Sequence, residues 1–262
     1  MRYILHAMNM NLRRASQYRL SFLLQTLSQV IMTGSDLAAV LILAGRFSAF
    51  GAWSADQVLF FFGAMQTAFA LTEGIGRGVS VFSREVQSGS FDTLLLRPRA
   101  LLGQVMLSEI DARRIGSVLI GAAALAAASA RLRLIWTFSR LLLLLWSILG
   151  TVTLLTGLFL IEASVSFFTV QSIEAVNVLT YGGRQVCQYP ADLYPGPIRL
   201  LFEYVAPIVL CLHLPVSLML GRPMVRAGEA LIWLCPLAGF AFFGLTALLW
   251  RFGVRHYRST GS

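Results

Sequence analysis

Six stretches of the chain are apolar over a length that suits a bilayer-crossing helix, which takes about 20 residues. They are Leu20–Ala44, Val58–Phe82, Ile115–Ala130, Leu141–Phe168, Leu200–Leu220 and Leu231–Trp250. A further stretch, Ser172–Tyr189, is only moderately apolar and is ambiguous as a span. No long polar linker, internal repeat or soluble domain interrupts the series. The pattern predicts an all-α polytopic bundle occupying residues 1–262 as one transmembrane domain.

Ahead of the first stretch, Ile4, Met8, Leu12 and Ala15 recur at helical spacing, with Arg13, Arg14 and Arg19 beside or beyond them. This predicts an interfacial helix over residues 1–19 leading into the first span; a simple cytoplasmic stub is the other option. The segment has no compact apolar run and no small-residue cleavage site before its Arg cluster, so it does not read as a cleavable signal.

Composition sharpens the class. Apolar residues make up 57% and charged residues 13% of the chain, against about 45–50% and about 25% in soluble domains. All 21 basic residues are Arg and none is Lys. A phosphate-binding loop of the form GxxxxGK[ST] needs its Lys, so the chain carries no such ATP site of its own. The net charge of +9 sits mainly between apolar runs, which points to lipid headgroups and topology rather than nucleic acid. With the N-terminus inside, twelve Arg fall on the cytoplasmic side and at most eight outside, predicting both termini in the cytoplasm. Cys187, Cys211 and Cys235 have neither CxxC nor metal-ligand spacing with His6, His213 and His256, and read as small apolar residues.

The segment after the second stretch carries the most specific pattern. Ser90 is placed to cap a short helix and Asp92 suits its positive end. Phe91, Leu94 and Leu95 then share one face, and Pro98 stops the helix by restricting Arg97. An apolar knob of this kind is suited to a groove on a partner; an interfacial helix lying on lipid is the other option.

The spacing Glu85-x-x-x-Gly89-x-x-x-x-Leu94-Leu95-x-x-Pro98 resembles the coupling-helix motif of ATP-binding-cassette (ABC) type-2 permeases. Three further segments resemble one bacterial branch of that family: Leu179-Thr-Tyr-Gly-Gly183, Tyr194-Pro-x-x-Ile-Arg199 followed by Pro207 and Pro215, and the ending from Trp250 to Ser262. The resemblance implies a six-span subunit of an inner-membrane exporter, working with a second permease, identical or related, and two cytoplasmic ABC ATPase subunits. ATP and Mg would belong to those ATPases, leaving no cofactor and no catalytic residue in this chain. It also implies that the loop 84–98, with Glu85, Gly89, Phe91, Asp92, Leu94, Leu95, Arg97 and Pro98, transmits the ATPase motion. Finally, it implies that Ser172–Tyr189 is the fifth span and that residues 199–221, broken by Pro207 and Pro215, form an outer re-entrant hairpin. Plain hydropathy prefers Leu200–Leu220 as the fifth span.

Polar residues within the apolar runs are the candidates for a substrate path, because buried charge in a membrane normally faces protein or water. These are Asp36, Gln66 and Glu73; a third acid, Glu162, stands near the cytoplasmic end of its span and reads as interfacial. Glu73 and Arg77 stand at i, i+4 and are expected to pair, whereas Asp36 has no Arg within a helical turn. Gly74 and Gly78, and the Ala-rich run from Gly121 to Ala130, predict close helix contacts. The alternatives are an ATP-independent channel or structural membrane partner and, less favoured, a membrane-embedded lipid-modifying enzyme. The enzyme lacks support in HExxH, GxSxG or any clustered His and Asp set.

Overall fold

A computed structural model describes residues 19–46, 53–98, 100–168, 177–222 and 228–257. The interfacial helix expected over residues 1–19 lies outside them but for Arg19. The regular elements of the described chain are all helices: α1 Arg19–Arg46, α2 Ala55–Ile75, α3 Arg77–Ser80, α4 Phe82–Gln87, α5 Phe91–Leu95, α6 Leu101–Ser108, α7 Ile115–Arg131 and α8 Phe138–Val165. After it come α9 Gly183–Val186, α10 Gly196–Leu200, α11 Leu214–Met219, α12 Glu229–Leu234 and α13 Leu237–His256.

Five helical segments are long and apolar enough to cross a membrane: Leu20–Leu43, Ala55–Ile75, Ala112–Arg131, Phe138–Val165 and Ala230–His256. These correspond to five of the six apolar stretches. The remaining one, expected by hydropathy to be continuous from Leu200 to Leu220, is instead two arms, Gly196–Val205 and Val209–Met219, bent by 85°. Pro207 sits at the bend and cannot donate a backbone hydrogen bond. Pro215 does not break the second arm. It lies in the first turn of α11, directly after a π-helical turn, Val209–His213, where a missing N–H is tolerated. The described part of the ambiguous stretch is shorter than a span: a π-helical turn, Val178–Gly182, runs into α9 and ends there.

α2 is the axis of the bundle. Ser54 accepts from the Gln57 amide while the Gln57 side chain takes the Ser54 amide, a closed capping box. Phe60, Phe61 and Phe62 are all fully buried. Buried residues make up 83% of the apolar window of α2, against 11% for α1, so α2 is enclosed by protein and α1 lies at the periphery. The second span is shorter than expected, because α2 stops at Ile75 and Gly76 leads into the separate turns α3 and α4.

Small residues permit the tight crossings. A Cβ on Gly63 of α2 would meet the Gly121 carbonyl at 2.9 Å, and one on Gly239 of α13 would meet the Gly150 carbonyl of α8 at 2.1 Å. The expected role of the Gly121–Ala130 run thus falls within the subunit. Gly78 does the same for α3, where an added Cβ would lie 1.9 Å from the Val105 carbonyl of α6.

Candidate functional site

Two features stand out. The first is the loop carrying α5. Gly89 adopts φ +71°, the left-handed region open to glycine without a Cβ clash, and this turns the chain between α4 and α5. Contrary to expectation, Ser90 does not cap α5 through its side chain; its backbone is already helical. Its hydroxyl donates instead to the Glu85 carboxylate and, at 3.2 Å, to the Glu85 carbonyl. Glu85 and Gly89 therefore shape the turn, while Asp92 occupies the first turn of α5 as expected.

The apolar face of α5 differs from the expectation in one decisive respect. Phe91 is not part of an outward knob: it is 0% exposed. Its ring packs against Phe82 at 5.1 Å, Phe167 at 5.4 Å and Tyr257 at 4.9 Å between centroids, and Phe82 in turn meets Trp250 at 4.7 Å. Edge-to-face rings at such spacings attract beyond their area burial. Because Phe91 turns inward, Leu94 is half-buried and the outward apolar surface passes to Leu95, 42% exposed, and Leu96, 86% exposed, followed by exposed Arg97 and Pro98. Leu96 was missed because the spacing of apolar residues does not say which face of so short a helix turns inward. Beside the cluster, partial burial and the nearby Asp92 carboxylate hold the Tyr257 phenol above its ordinary pKa.

The second feature is a cavity of about 440 Å³ between α1, α2, the start of α7 and the segment around α9. Asp36, Gln66 and Glu73, all chosen from the sequence, line it together. Their partners come from distant segments. Glu73 does not pair with Arg77; Arg114 takes both its carboxylate oxygens at 2.8 Å and also reaches Gln29 at 2.8 Å. Arg184 donates to Asp36 at 2.5 Å and to Gln66 at 3.0 Å, and its guanidinium lies 5.0 Å from the centre of the Phe69 ring. Tyr181 closes the set, its hydroxyl 3.4 Å from Glu73 and its ring 5.6 Å from Phe69. Arg114, Arg184 and Tyr181 were not singled out for this path, since their roles depend on contacts across the fold.

One polar stripe helps tie α1 to the bundle, alongside the buried Val40. Gln25 accepts from Arg113, Gln29 from Arg114, Thr33 shares a hydrogen bond of 2.9 Å with Ser117, and Asp36 takes Arg184. These positions recur every three or four residues, so they form one face of the helix. The outward face of α1 carries Leu20, Leu23, Leu24, Leu27, Ile31 and Met32, all more than half exposed, as a lipid-facing helix requires.

Several long apolar helices around a charged interior cavity define a multi-pass helical membrane protein. The chain belongs to the ABC-2 transporter family: the family described as "ABC-2 family transporter protein" matches residues 30–261. It is accordingly the membrane component of an ABC-type transporter. Neither a curated protein nor a solved structure matches the chain.

Proposed function

We propose that this chain is the permease half of an ABC exporter in a bacterial inner membrane, with both termini in the cytoplasm. It works there beside a second permease, identical or related, above two cytoplasmic ATPase subunits that bind ATP and Mg. Lacking Lys, the chain supplies no phosphate-binding loop of the usual kind, so the energy enters from those partners. The export direction and the pairing rest on the resemblance to type-2 permeases. The excess of Arg on the side of α5 supports the orientation.

The loop 84–98 is the coupling element, and the burial of Phe91 carries this proposal. A force applied to Leu95, Leu96 and Arg97 passes through α5 into an aromatic cluster that includes Trp250 at the end of the last span and Phe167 at the end of α8. A floppy loop would dissipate the same push. Closing of the ATPases beneath the membrane then becomes a rigid-body tilt of the spans. The cavity lined by Asp36, Gln66 and Glu73 forms part of the substrate path. The bent pair Gly196–Val205 and Val209–Met219 is the outer re-entrant element, and its 85° bend supports that assignment.

The test is the double change Leu95→Asp with Leu96→Asp, made in the full transporter. The ATPase subunits should no longer copurify, and ATP hydrolysis by the complex should fall to the level of the ATPase alone. The melting temperature of the permease should stay near wild type, since both side chains are exposed. Retained copurification and retained stimulation would overturn the coupling assignment.

A further inference from the structure

The cavity beside α1 is lined by two carboxylates, Asp36 and Glu73, and two guanidinium groups, Arg114 and Arg184, so its charged lining sums to zero. Each acid is held by one Arg, yet neither Arg is saturated. The Nε atoms of Arg114 and of Arg184 are both buried and lack an acceptor. Neither atom has exposed surface, so an entering ligand meets these two Arg residues only at the nitrogens that already hold the acids.

The pairing restricts what can enter. A ligand bringing only an anionic group would draw a guanidinium away and strand Glu73 as a buried unpaired charge, or the partly exposed Asp36 without its partner. A ligand bringing only a cationic group would strand Arg114 or Arg184 in the same way. Stranding one partner of a buried ion pair is strongly unfavourable. A ligand that carries both charges leaves nothing unpaired: its anion takes the guanidinium and its cation takes the carboxylate that the guanidinium releases.

Tyr181, partly exposed beside the buried Phe69, adds a place for the cation. Arg184 already lies over the Phe69 ring, so the site accepts a positive group on an aromatic face. The same cavity is walled by Ile31 and Met32 of α1, whose side chains are also exposed on the outer surface of the bundle. That apolar wall suits a hydrocarbon tail. A volume of about 440 Å³ holds a headgroup and the start of a chain, within the usual range for ligand pockets.

We infer that this cavity is a receptor for an amphipathic zwitterion, a molecule with an anionic and a cationic group close together on an apolar tail. The inference deepens the assignment of the cavity to the substrate path and rests on it.

Three lysolipids of one acyl chain test it: lysophosphatidylethanolamine as the zwitterion, lysophosphatidylglycerol as the anion, and a trimethylammonium analogue as the cation. Each is titrated calorimetrically into the complete transporter in nanodiscs. The zwitterion should bind at least tenfold more tightly than either singly charged analogue. The double variant Asp36→Asn with Arg184→Gln removes both members of one pair and strands no charge, and it should erase that preference. The pair Glu73→Gln with Arg114→Gln gives the same test should the first variant not fold. Equal or tighter binding of either singly charged lipid, no binding of any of the three, or an undiminished preference in the variants would overturn the inference. ATP hydrolysis separates it from the path assignment. A zwitterion that binds selectively without altering hydrolysis leaves the receptor standing and removes the path. A singly charged lipid that stimulates hydrolysis through these residues does the reverse.

Discussion

The rings of Phe91 and Tyr257 meet edge-on, 4.9 Å apart at their centroids and inclined by 85°, which ties the five-residue helix α5 to the residue just after the last span. A buried aromatic at this position serves the fold before it serves any partner. Phe91→Ala should cost about 3–5 kcal/mol, as for other buried Phe truncations. Its effect should appear as lower yield and melting temperature of the permease by itself. Leu96→Ala, at 86% exposure, should leave that melting temperature unchanged. If Phe91→Ala purified at normal yield with an unchanged melting curve, the anchoring role would be wrong.

Glu73 and Arg114 share two hydrogen-bonded contacts across 41 residues of sequence. Glu73→Gln leaves a buried guanidinium without its carboxylate and should destabilise the protein by about 3–5 kcal/mol, and the double change with Arg114→Gln by clearly less. The interaction energy from such a cycle should therefore be large. Arg77→Gln serves as the contrast, because Arg77 makes no ion pair with Glu73 at contact distance among the described residues. A cycle showing strong coupling of Glu73 to Arg77 and none to Arg114 would contradict this geometry.

The local order of the chain reads well from the sequence and its long-range pairing does not. Five spans follow from apolar length alone, since a lipid-crossing helix is a property of one continuous segment. Glu73 and Arg77 look like partners because i, i+4 is the only proximity a helix guarantees; the true partner Arg114 comes to Glu73 through the packing of α7 on α2. Asp36 seems unpaired for the same reason, its Arg184 lying 148 residues away. The loop 84–98 is legible in outline, as Gly89 and Glu85 do shape its turn. Which way α5 faces was hidden, because five residues make too little helix for an apolar stripe to identify its inward side. The stretch from Gly196 to Met219 misleads hydropathy, which registers the apolar content but not the bend at Pro207.

Glycine positions give a test with opposite signs. Gly78→Ala would place a methyl group 1.9 Å from the Val105 carbonyl of α6, a backbone atom that cannot move aside without shifting the helix. A drop of several degrees in melting temperature is expected. Gly244→Ala adds its methyl to open space on α13 and removes a glycine from a helix interior, where it weakens the helix by about 0.5–1 kcal/mol. That variant should melt at or slightly above the wild-type temperature. Equal losses at both positions would show that the close approach of α3 to α6 has been misplaced.

The polar stripe of α1, opposite an exposed apolar face, predicts a helix that hydrogen bonds help to position and that can shift against α7. Thr33 and Ser117 face each other at 2.9 Å between hydroxyl oxygens, so Thr33→Cys with Ser117→Cys should form a disulfide across α1 and α7. With Cys187, Cys211 and Cys235 replaced by Ser or Ala, the crosslink should form readily in nucleotide-free membranes. During ATP turnover by the full transporter its rate should fall severalfold, as α1 moves relative to α7 and opens one wall of the cavity. Trapping the crosslink should block the cycle, and reductant should restore it. A disulfide that forms equally fast in both states and leaves ATP hydrolysis untouched would mean that α1 and α7 move as one body, and the moving wall of the path would have to be sought on the opposite side, at the segment carrying Tyr181 and Arg184.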